Sequence, residues 1–347
     1  MGGTVVGVDI GSNAVRGVEV QGYDTVKPVV VRQFEVPLPE TAVRRGEVIE
    51  QATVATALRR LWSGGGFKSK EVALGIGGQR VFARDMTVPR APLPQIRESL
   101  PFHVQELLPV PVADVLLDFY PLAEENGESG PMVSGLLVAG LKEAINANVA
   151  AVMSAGLRPV RMDLIPFAIS RALAPVRSAQ GREVIVEIGA NTTNVVVVEN
   201  GIPHFVRMLP NGGDDVTRAL ATRLQWAPEQ AEQAKRALGM GSPMMRPEDR
   251  PIIEIVYEVV GELLSGVRNT LAYYANAHPA RPVTRVLLTG GASELSGLAN
   301  ALGEVVRLPV AANEPVGVAY ARAGKGAVPT TRPSFVTATG LALGSNA

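Results

Sequence analysis

Two stretches of this chain decide its fold: Val5-Val-Gly-Val-Asp-Ile-Gly-Ser-Asn-Ala-Val-Arg-Gly-Val-Glu19 and Val184-Ile-Val-Glu-Ile-Gly-Ala-Asn-Thr-Thr-Asn-Val-Val-Val-Val198. Each runs as an apolar strand, an acidic residue, an apolar residue, a glycine, a short polar turn and a second apolar strand. A hairpin with glycine at its tip lets backbone N–H groups approach an anion, because no Cβ stands in the way. In the first stretch Gly11, Ser12 and Asn13 offer amide and hydroxyl donors, and Arg16 on the returning strand adds a positive charge. Asp9 stands at the strand end, where a carboxylate can hold a hydrated magnesium ion. In the second stretch Glu187, Gly189, Asn191 and Thr192 repeat the arrangement. One such hairpin is an ordinary turn. Two facing each other predict a polyphosphate held from both sides.

Around these stretches the elements alternate. Residues 5–10, 15–22 and 29–36 predict strands. Val54, Ala57, Leu58 and Leu61 recur at helical spacing within 47–61, and Gly64-Gly65-Gly66 stops that helix. Strands follow at 72–76 and 81–88. The texture then changes at the proline-punctuated segment 89–94. A helix over 93–107, paired strands at 114–122 and 132–141 around a polar turn at 124–130, and a helix over 143–155 predict an inserted subdomain. A strand at 158–164 and a helix at 166–174 return to the first domain. The second half opens with strands at 183–188, 193–199 and 202–209, the last two joined by Asn200-Gly201. A helical block spans 213–278, and a strand at 285–289 ends in Gly290-Gly291. The expected division is a first domain of 1–85 and 157–180, an insert of 86–156, a second domain of 181–210 and 280–347, and a helical subdomain of 211–279.

Composition agrees with two domains. The chain has 347 residues, more than one core usually organises. Apolar residues make up 46% and charged residues 19%, which supports packed cores and excludes wholesale disorder. Lysine plus arginine equal aspartate plus glutamate at 33 each, so no broad electrostatic face favours nucleic acid or an anionic membrane. The absence of cysteine excludes disulfides, thiolate metal sites and cysteine nucleophiles, and it suits a reducing compartment. The N-terminus has no basic region or long apolar core, so no signal peptide is expected. Apolar runs such as 132–141 fall short of the ~20 residues a membrane helix needs. His103, His204 and His278 are scattered, without metal-ligand spacing.

A third motif, Leu287-Leu-Thr-Gly290-Gly291-Ala-Ser293-Glu-Leu295, runs a buried strand into two glycines and a helix start, where a base or ribose can lie on bare backbone. The order and separation of these three motifs resemble the actin, sugar-kinase and heat-shock-chaperone superfamily, whose phosphate-1, phosphate-2 and adenosine motifs they match. The fold this implies is α/β: a duplicated actin-like ATPase fold, with ATP and Mg2+ in a cleft between two domains. Gly212-Gly213-Asp-Asp-Val-Thr217 resembles the family's glycine pair after the second-half strands, and Glu232, Lys235 and Arg236 its adenosine-side helix. These three side chains share one helical face, and an i, i+3 ion pair on a solvated surface explains them as well.

An insert at 86–156 is the arrangement of the cell-division protein FtsA and of the PilM family of type IV pilus assembly. Further stretches resemble that pilus family: the run from Ile96 through Pro109 to Pro111, Leu116-Leu-Asp-Phe-Tyr120, Met162-Asp-Leu-Ile-Pro-Phe167, and Ala338-Thr-Gly-Leu-Ala-Leu343. FtsA usually ends in a basic amphipathic helix, and this chain ends without one. The resemblance implies a cytoplasmic scaffold that binds the N-terminal cytoplasmic peptide of PilN and, indirectly, the PilO-containing inner-membrane complex. It implies no nucleic acid, no direct membrane insertion, and self-association as an option. Two departures stand out. Glu187 replaces the family's usual aspartate, and Pro166 falls where actin carries its water-orienting glutamine, with Asp163 nearby as a candidate helix cap. Hydrolysis is therefore expected to be slow at most. A filament-forming ATPase and a small-molecule kinase remain alternatives, although no extra acid is evident as a base for an acceptor hydroxyl.

Overall fold

The computed structural model describes residues 2–44, 46–105, 107–127, 130–173, 181–241, 246–312, 318–320 and 332–344. In chain order the first half contains β1 (Thr4–Ile10), β2 (Ala14–Gln21), β3 (Val29–Pro37), the short β4 (Val43–Arg44) and β5 (Glu47–Val48), α1 (Gln51–Gly65), β6 (Glu71–Ile76), β7 (Val81–Pro89), α2 (Leu93–His103), β8 (Val115–Gly127), β9 (Gly130–Leu141), α3 (Lys142–Ser154), β10 (Arg158–Leu164) and α4 (Ile165–Leu173). The second half contains β11 (Arg182–Ile188), β12 (Thr193–Glu199), β13 (Ile202–Leu209), α5 (Gly213–Leu224), α6 (Pro228–Leu238), α7 (Arg250–Ala277), β14 (Val283–Thr289), α8 (Leu298–Val306), β15 (Val310–Ala312), β16 (Ala319–Tyr320) and α9 (Val336–Leu343).

The duplication is visible in the sheets. One is ordered β10-β6-β1-β2-β3-β16 and the other β13-β12-β11-β14-β15. In each, an antiparallel meander is extended by parallel strands: β6 beside β1, and β14 beside β11. Every residue of β11 is buried, which requires cover on both faces and accounts for the unbroken apolar run Val184-Ile185-Val186 at its centre. Val184, Val186 and Ile188 face the helical block, where α7 contributes Val256, Leu264 and Val267. Ile185, between them, faces the opposite way onto α4. In the first sheet Val6 and Val8 pack on α1 through Leu58 and Leu61, while Val5 faces α9 through Leu341 and Ala342.

Helices α4 and α9 lie between the two sheets at backbone contact. A Cβ on Gly340 would meet the Ala168 carbonyl oxygen at 1.8 Å, and one on Gly7 would meet that of Ala338 at 2.0 Å. Glycine is required at both positions because helix backbone rests on helix and on strand. Arg161 Nη2 donates to the Leu341 carbonyl at 2.6 Å and Arg171 Nη2 to that of Gly340 at 3.2 Å, satisfying the last turn of α9.

Hydrogen bonding and packing redraw three of the expected boundaries. β7 pairs along its whole length with β9 in a separate sheet ordered β7-β9-β8, so the insert begins near Val81 and not at residue 86. α3, expected in the insert, packs Ala151 and Val152 into the α1 core of the first domain. The tail, expected in the second domain, returns to the first: β16 pairs with β3, and α9 packs on β1. Its apolar residues carry no directional signal, so only the burying surface decides their domain. Within the insert, α2 ends at His103 and not at 107; Pro101, inside its last turn, lacks the N–H that would bond to the Arg97 carbonyl, which weakens that turn. Residues 174–180, 313–317, 321–331 and 345–347, which the expected division assigned to domains, lie outside the described residues, as do Glu106, Glu128 and Ser129.

Candidate functional site

Both hairpins are built alike. The Gly11 N–H donates to the Ala14 carbonyl at 3.1 Å, and the Gly189 N–H to that of Thr192 at 2.9 Å. Pairing of β1 with β2 sets Asp9 opposite Arg16, and pairing of β11 with β12 sets Glu187 opposite Asn194. Arg16 Nη1 lies 3.8 Å from Asp9 Oδ2, and Arg16 Nε lies 3.3 Å from Glu35 Oε2. Glu35 also accepts from Arg332 at 2.9 Å. Asn194 Nδ2 donates to Glu187 Oε2 at 2.7 Å.

The two acids share one environment. Burial pushes the Glu187 carboxyl up to about 7; the Asn194 hydrogen bond opposes the rise, the Asp9 charge adds to it, and Arg16 opposes it more weakly. Burial also raises Asp9, against the pull of Arg16. Two dehydrated carboxylates that repel one another are an environment a divalent cation relieves. Among the described residues no group of three or more His, Cys, Asp or Glu side chains is assembled to hold a metal. Asp9 and Glu187 are the two acids that could hold a hydrated cation, which keeps several waters and needs only one or two carboxylates.

The start of α5 is strapped to the second hairpin. The Gly213 N–H donates to the Gly189 carbonyl at 2.9 Å and the Asp214 N–H to that of Ala190 at 2.8 Å. Asp215 Oδ2 accepts from the Gly212 N–H at 2.9 Å as a helix cap. Across from it, α6 presents the expected charged face. Lys235 Nζ donates to the Gly213 carbonyl at 3.1 Å and to Thr217 Oγ1 at 2.8 Å. Glu232 accepts from Thr217 at 2.6 Å and from Arg236 Nε at 2.6 Å. Burial acts to raise the Glu232 carboxyl, but hydrogen bonds from Lys235 and Thr217 outweigh it and hold the group below its usual range.

A cavity of about 380 Å3 opens between the halves, within the range of small-ligand sites. Asp9, Gly11, Ser12, Asn13 and Arg16 line it from the first half; Glu187, Gly189, Asn191, Thr192 and Gly213 line it from the second. Glu232, Lys235, Arg236 and Gly291 complete the set of expected residues on its wall. Three expected contacts stand behind the wall. Gly290, at φ +93°, would bring a Cβ within 2.5 Å of the Ile188 carbonyl oxygen, and Gly212 one within 2.4 Å of that of Ala190. Ser293 is buried and donates to the Gly290 carbonyl at 2.6 Å. These residues shape the turns. Gly291 faces the cavity, and a Cβ added there would come near only Ser334 Cβ, at 3.9 Å.

Other lining residues were not expected. Asn194 occupies the place in its hairpin that Arg16 holds in the first, a correspondence present in the sequence. Gly77-Gly78 follows β6 as Gly290-Gly291 follows β14, and both Gly77 and Gly78 reach the cavity. Ser334 and Thr337 come from the tail, and no local motif announces them. Asp163 pairs with Arg171 and accepts from the Leu164 N–H at 2.8 Å, while Pro166 is buried in the first turn of α4; neither lines the cavity.

Two similar α/β halves with glycine-tipped hairpins facing across a cleft define the actin-like ATPase fold. The family model described as type IV pilus assembly protein PilM matches residues 7–346, and the chain belongs to that family. A solved structure described as a PilM–PilN type IV pilus biogenesis complex is similar over 98% of this chain and 97% of that one, at 27% identity and a TM-score of 0.82. Cell division protein FtsA of Bacillus subtilis is 28% identical over 107 residues, 31% of this chain and 24% of the relative. FtsA of Pseudomonas aeruginosa is 26% identical over 176 residues, 46% of this chain and 41% of the relative. The matched regions thus span less than half the length of these curated relatives. MreB 5 of Spiroplasma citri bound to AMPPNP shares the fold, with 10% identity over 89% of this chain and 91% of that one and a TM-score of 0.53. Among the described residues no helix is long and apolar enough to cross a membrane.

Proposed function

We propose that this member of the PilM family is an ATP-binding scaffold that engages the N-terminal cytoplasmic peptide of PilN and is thereby held at the inner membrane beside the PilO-containing complex. The observation that carries the nucleotide reading is the pair of matched hairpins facing one cavity, with Arg16 and Lys235 on its wall. Asp9 and Glu187 would hold Mg2+, which supplies charge neutralisation for the phosphates. Similarity to the PilM–PilN complex along nearly the whole chain supports the partner.

The insert provides a docking surface and a route of coupling. A groove of about 630 Å3 runs between residues 90–96 and 121–124, lined by Pro92, Leu93, Ile96, Leu122 and Val133 and spanned by Arg90 Nε and Glu124 Oε1 at 3.1 Å. Extended peptides gain affinity in such grooves from apolar pockets and main-chain hydrogen bonds. Leu136, Tyr120 and Leu122 of the insert share a cluster with Phe167 and Ile169 of α4 and with Val196 and Val206 of the second sheet. A change in the angle between the halves therefore disturbs the insert directly. Coupling between nucleotide and peptide is expected at about 1–3 kcal/mol.

Hydrolysis is slow in this reading. Neither Asp163 nor Pro166 offers the cavity a group that orients water, and positioning supplies much of the catalysis in phosphoryl transfer. Turnover well below about 10 per second is expected in a phosphate-release assay. The deciding experiment is calorimetry with MgATP, followed by titration of a labelled peptide copied from the PilN N-terminus with and without ATP. Absence of peptide binding in either state, by protein shown to hold ATP, removes the scaffold reading and returns weight to filament formation, which sedimentation with ATP would then reveal.

A further inference from the structure

One hydrogen bond crosses the cleft between the two hairpin sites. Asn13 Nδ2, from the tip of the first hairpin, donates to Asp214 Oδ1 at 2.8 Å. The other oxygen of the same carboxylate accepts from Asn191 Nδ2, at the matching tip of the second hairpin, at 3.3 Å. The Asn191 amide is held in this orientation because its Oδ1 accepts from Arg218 Nη2 at 3.2 Å, and Arg218 is itself anchored on Asp215 at 2.8 Å. A carboxylate thus sits between the two equivalent side-chain donors that the paired hairpins offer to an anion.

We infer that Asp214 is an internal stand-in for phosphate: it clasps the two halves together when the cleft holds no nucleotide, and a bound polyphosphate takes over its two amide donors. The inference rests on the nucleotide reading proposed above. Two observations separate it from simpler roles. A cap for α5 is already provided by Asp215, which accepts from the Gly212 N–H, so Asp214 is not needed for capping. A third metal ligand beside Asp9 and Glu187 is disfavoured, because among the described residues no three acidic or histidine side chains group closely enough to hold an ion. The cationic groups Arg16 and Lys235 are engaged elsewhere: Arg16 by Asp9 and Glu35, and Lys235 by Glu232, Thr217 and the Gly213 carbonyl. The clasp is therefore made of amide hydrogen bonds to one carboxylate. An incoming phosphate, carrying more charge and accompanied by a cation, competes with it on favourable terms.

The test uses the full chain with Asn13→Ala, Asp214→Ala, Asp214→Asn and the Asn13→Ala/Asp214→Ala double variant. Without nucleotide, small-angle scattering is expected to show a wider particle in Asn13→Ala and in Asp214→Ala. The double variant should be no wider than either single one, because both remove the same contact. With MgATP, Asp214→Ala and Asp214→Asn should bind about two- to tenfold more tightly than the wild type, the range for releasing one competing hydrogen bond. Unchanged scattering in both single variants, or additive widening in the double variant, overturns the clasp. Weaker ATP binding in Asp214→Asn overturns the stand-in role and makes Asp214 a ligand-binding group. If the wild type takes up no nucleotide, the proposed function falls, while the nucleotide-free scattering still decides whether the clasp exists.

Discussion

The two hairpins share a backbone and differ in charge. At one position the first carries Arg16 and the second Asn194, each beside the acid of its own hairpin. Arg16 brings a cation to the cleft, with Asp9 3.8 Å away and Glu35 shared with Arg332. Asn194 brings only an amide, already donated to Glu187. The consequence is an asymmetry between the hairpins themselves: beside its acid the first carries a cation and the second an amide, while burial raises both acids. Duplication preserved the geometry, while the side chains at one paired position divided the work.

Four outcomes would break or sharpen that comparison. The largest concerns the glycine turn that backs the second hairpin. Gly290→Val should destabilise the protein by about 3 kcal/mol or more, since it forces a branched residue to positive φ and into the Ile188 backbone. Gly291→Val should leave chemical denaturation nearly unchanged and abolish nucleotide binding. Equal destabilisation by the two variants would show that the wall and the lining are not distinct.

The next is a pH effect that is largest for Glu187 of the second hairpin. The folded-state pKa of Glu187, about 7, lies above its ordinary value of 4.5, so the folded protein holds a proton that the unfolded chain releases. Stability from this group is fully present below pH 4.5 and is lost as pH rises through about 7, by at most about 3 kcal/mol. Asp9, raised by the same burial, acts in the same direction, and Arg16 opposes both. Glu187→Gln should flatten the slope of nucleotide-free stability against pH in urea denaturation. A slope that survives the substitution would assign it to other groups.

Substitution at the differing position comes third. Arg16→Ala should cost about 1.5–3 kcal/mol of ATP affinity, as expected for a charge-assisted phosphate contact. Asn194→Ala should cost about 0.5–1.5 kcal/mol, through loss of an uncharged donor that only orients Glu187. Calorimetry on both variants settles it, and equal losses would erase the asymmetry. The smallest effect is expected from Glu187→Asp, which shortens the side chain by one methylene. It should change Mg2+-dependent ATP affinity by less than about 1 kcal/mol, because a hydrated ion adjusts through its waters. A large rise in phosphate release by this variant would identify Glu187 as the cause of slow turnover.

By itself the sequence determined the local pattern. Strands at 5–10 and 183–188, the glycine tips at Gly11 and Gly189, the Glu232–Lys235 pair and the existence of an insert follow from hydrophobic period, backbone permissiveness and helical spacing, all properties of short windows. Tertiary structure decided what those windows touch. α9 is uncharged and buried nearly all round, so its sequence does not choose between two sheets; the close approach of Gly7 on β1 to Ala338 assigns it to the first. Packing of Ala151 and Val152 took α3 to the α1 core, and Ser334 and Thr337 reached the cavity only because the tail crosses back. The glycines divided in the same way: sequence marks Gly290 and Gly291 alike, while the backbone path turns one against Ile188 and opens the other to the cleft. The contact between Asn13 and Asp214 lies furthest beyond sequence, since two polar residues so distant along the chain carry no local sign that folding will bring them within 2.8 Å.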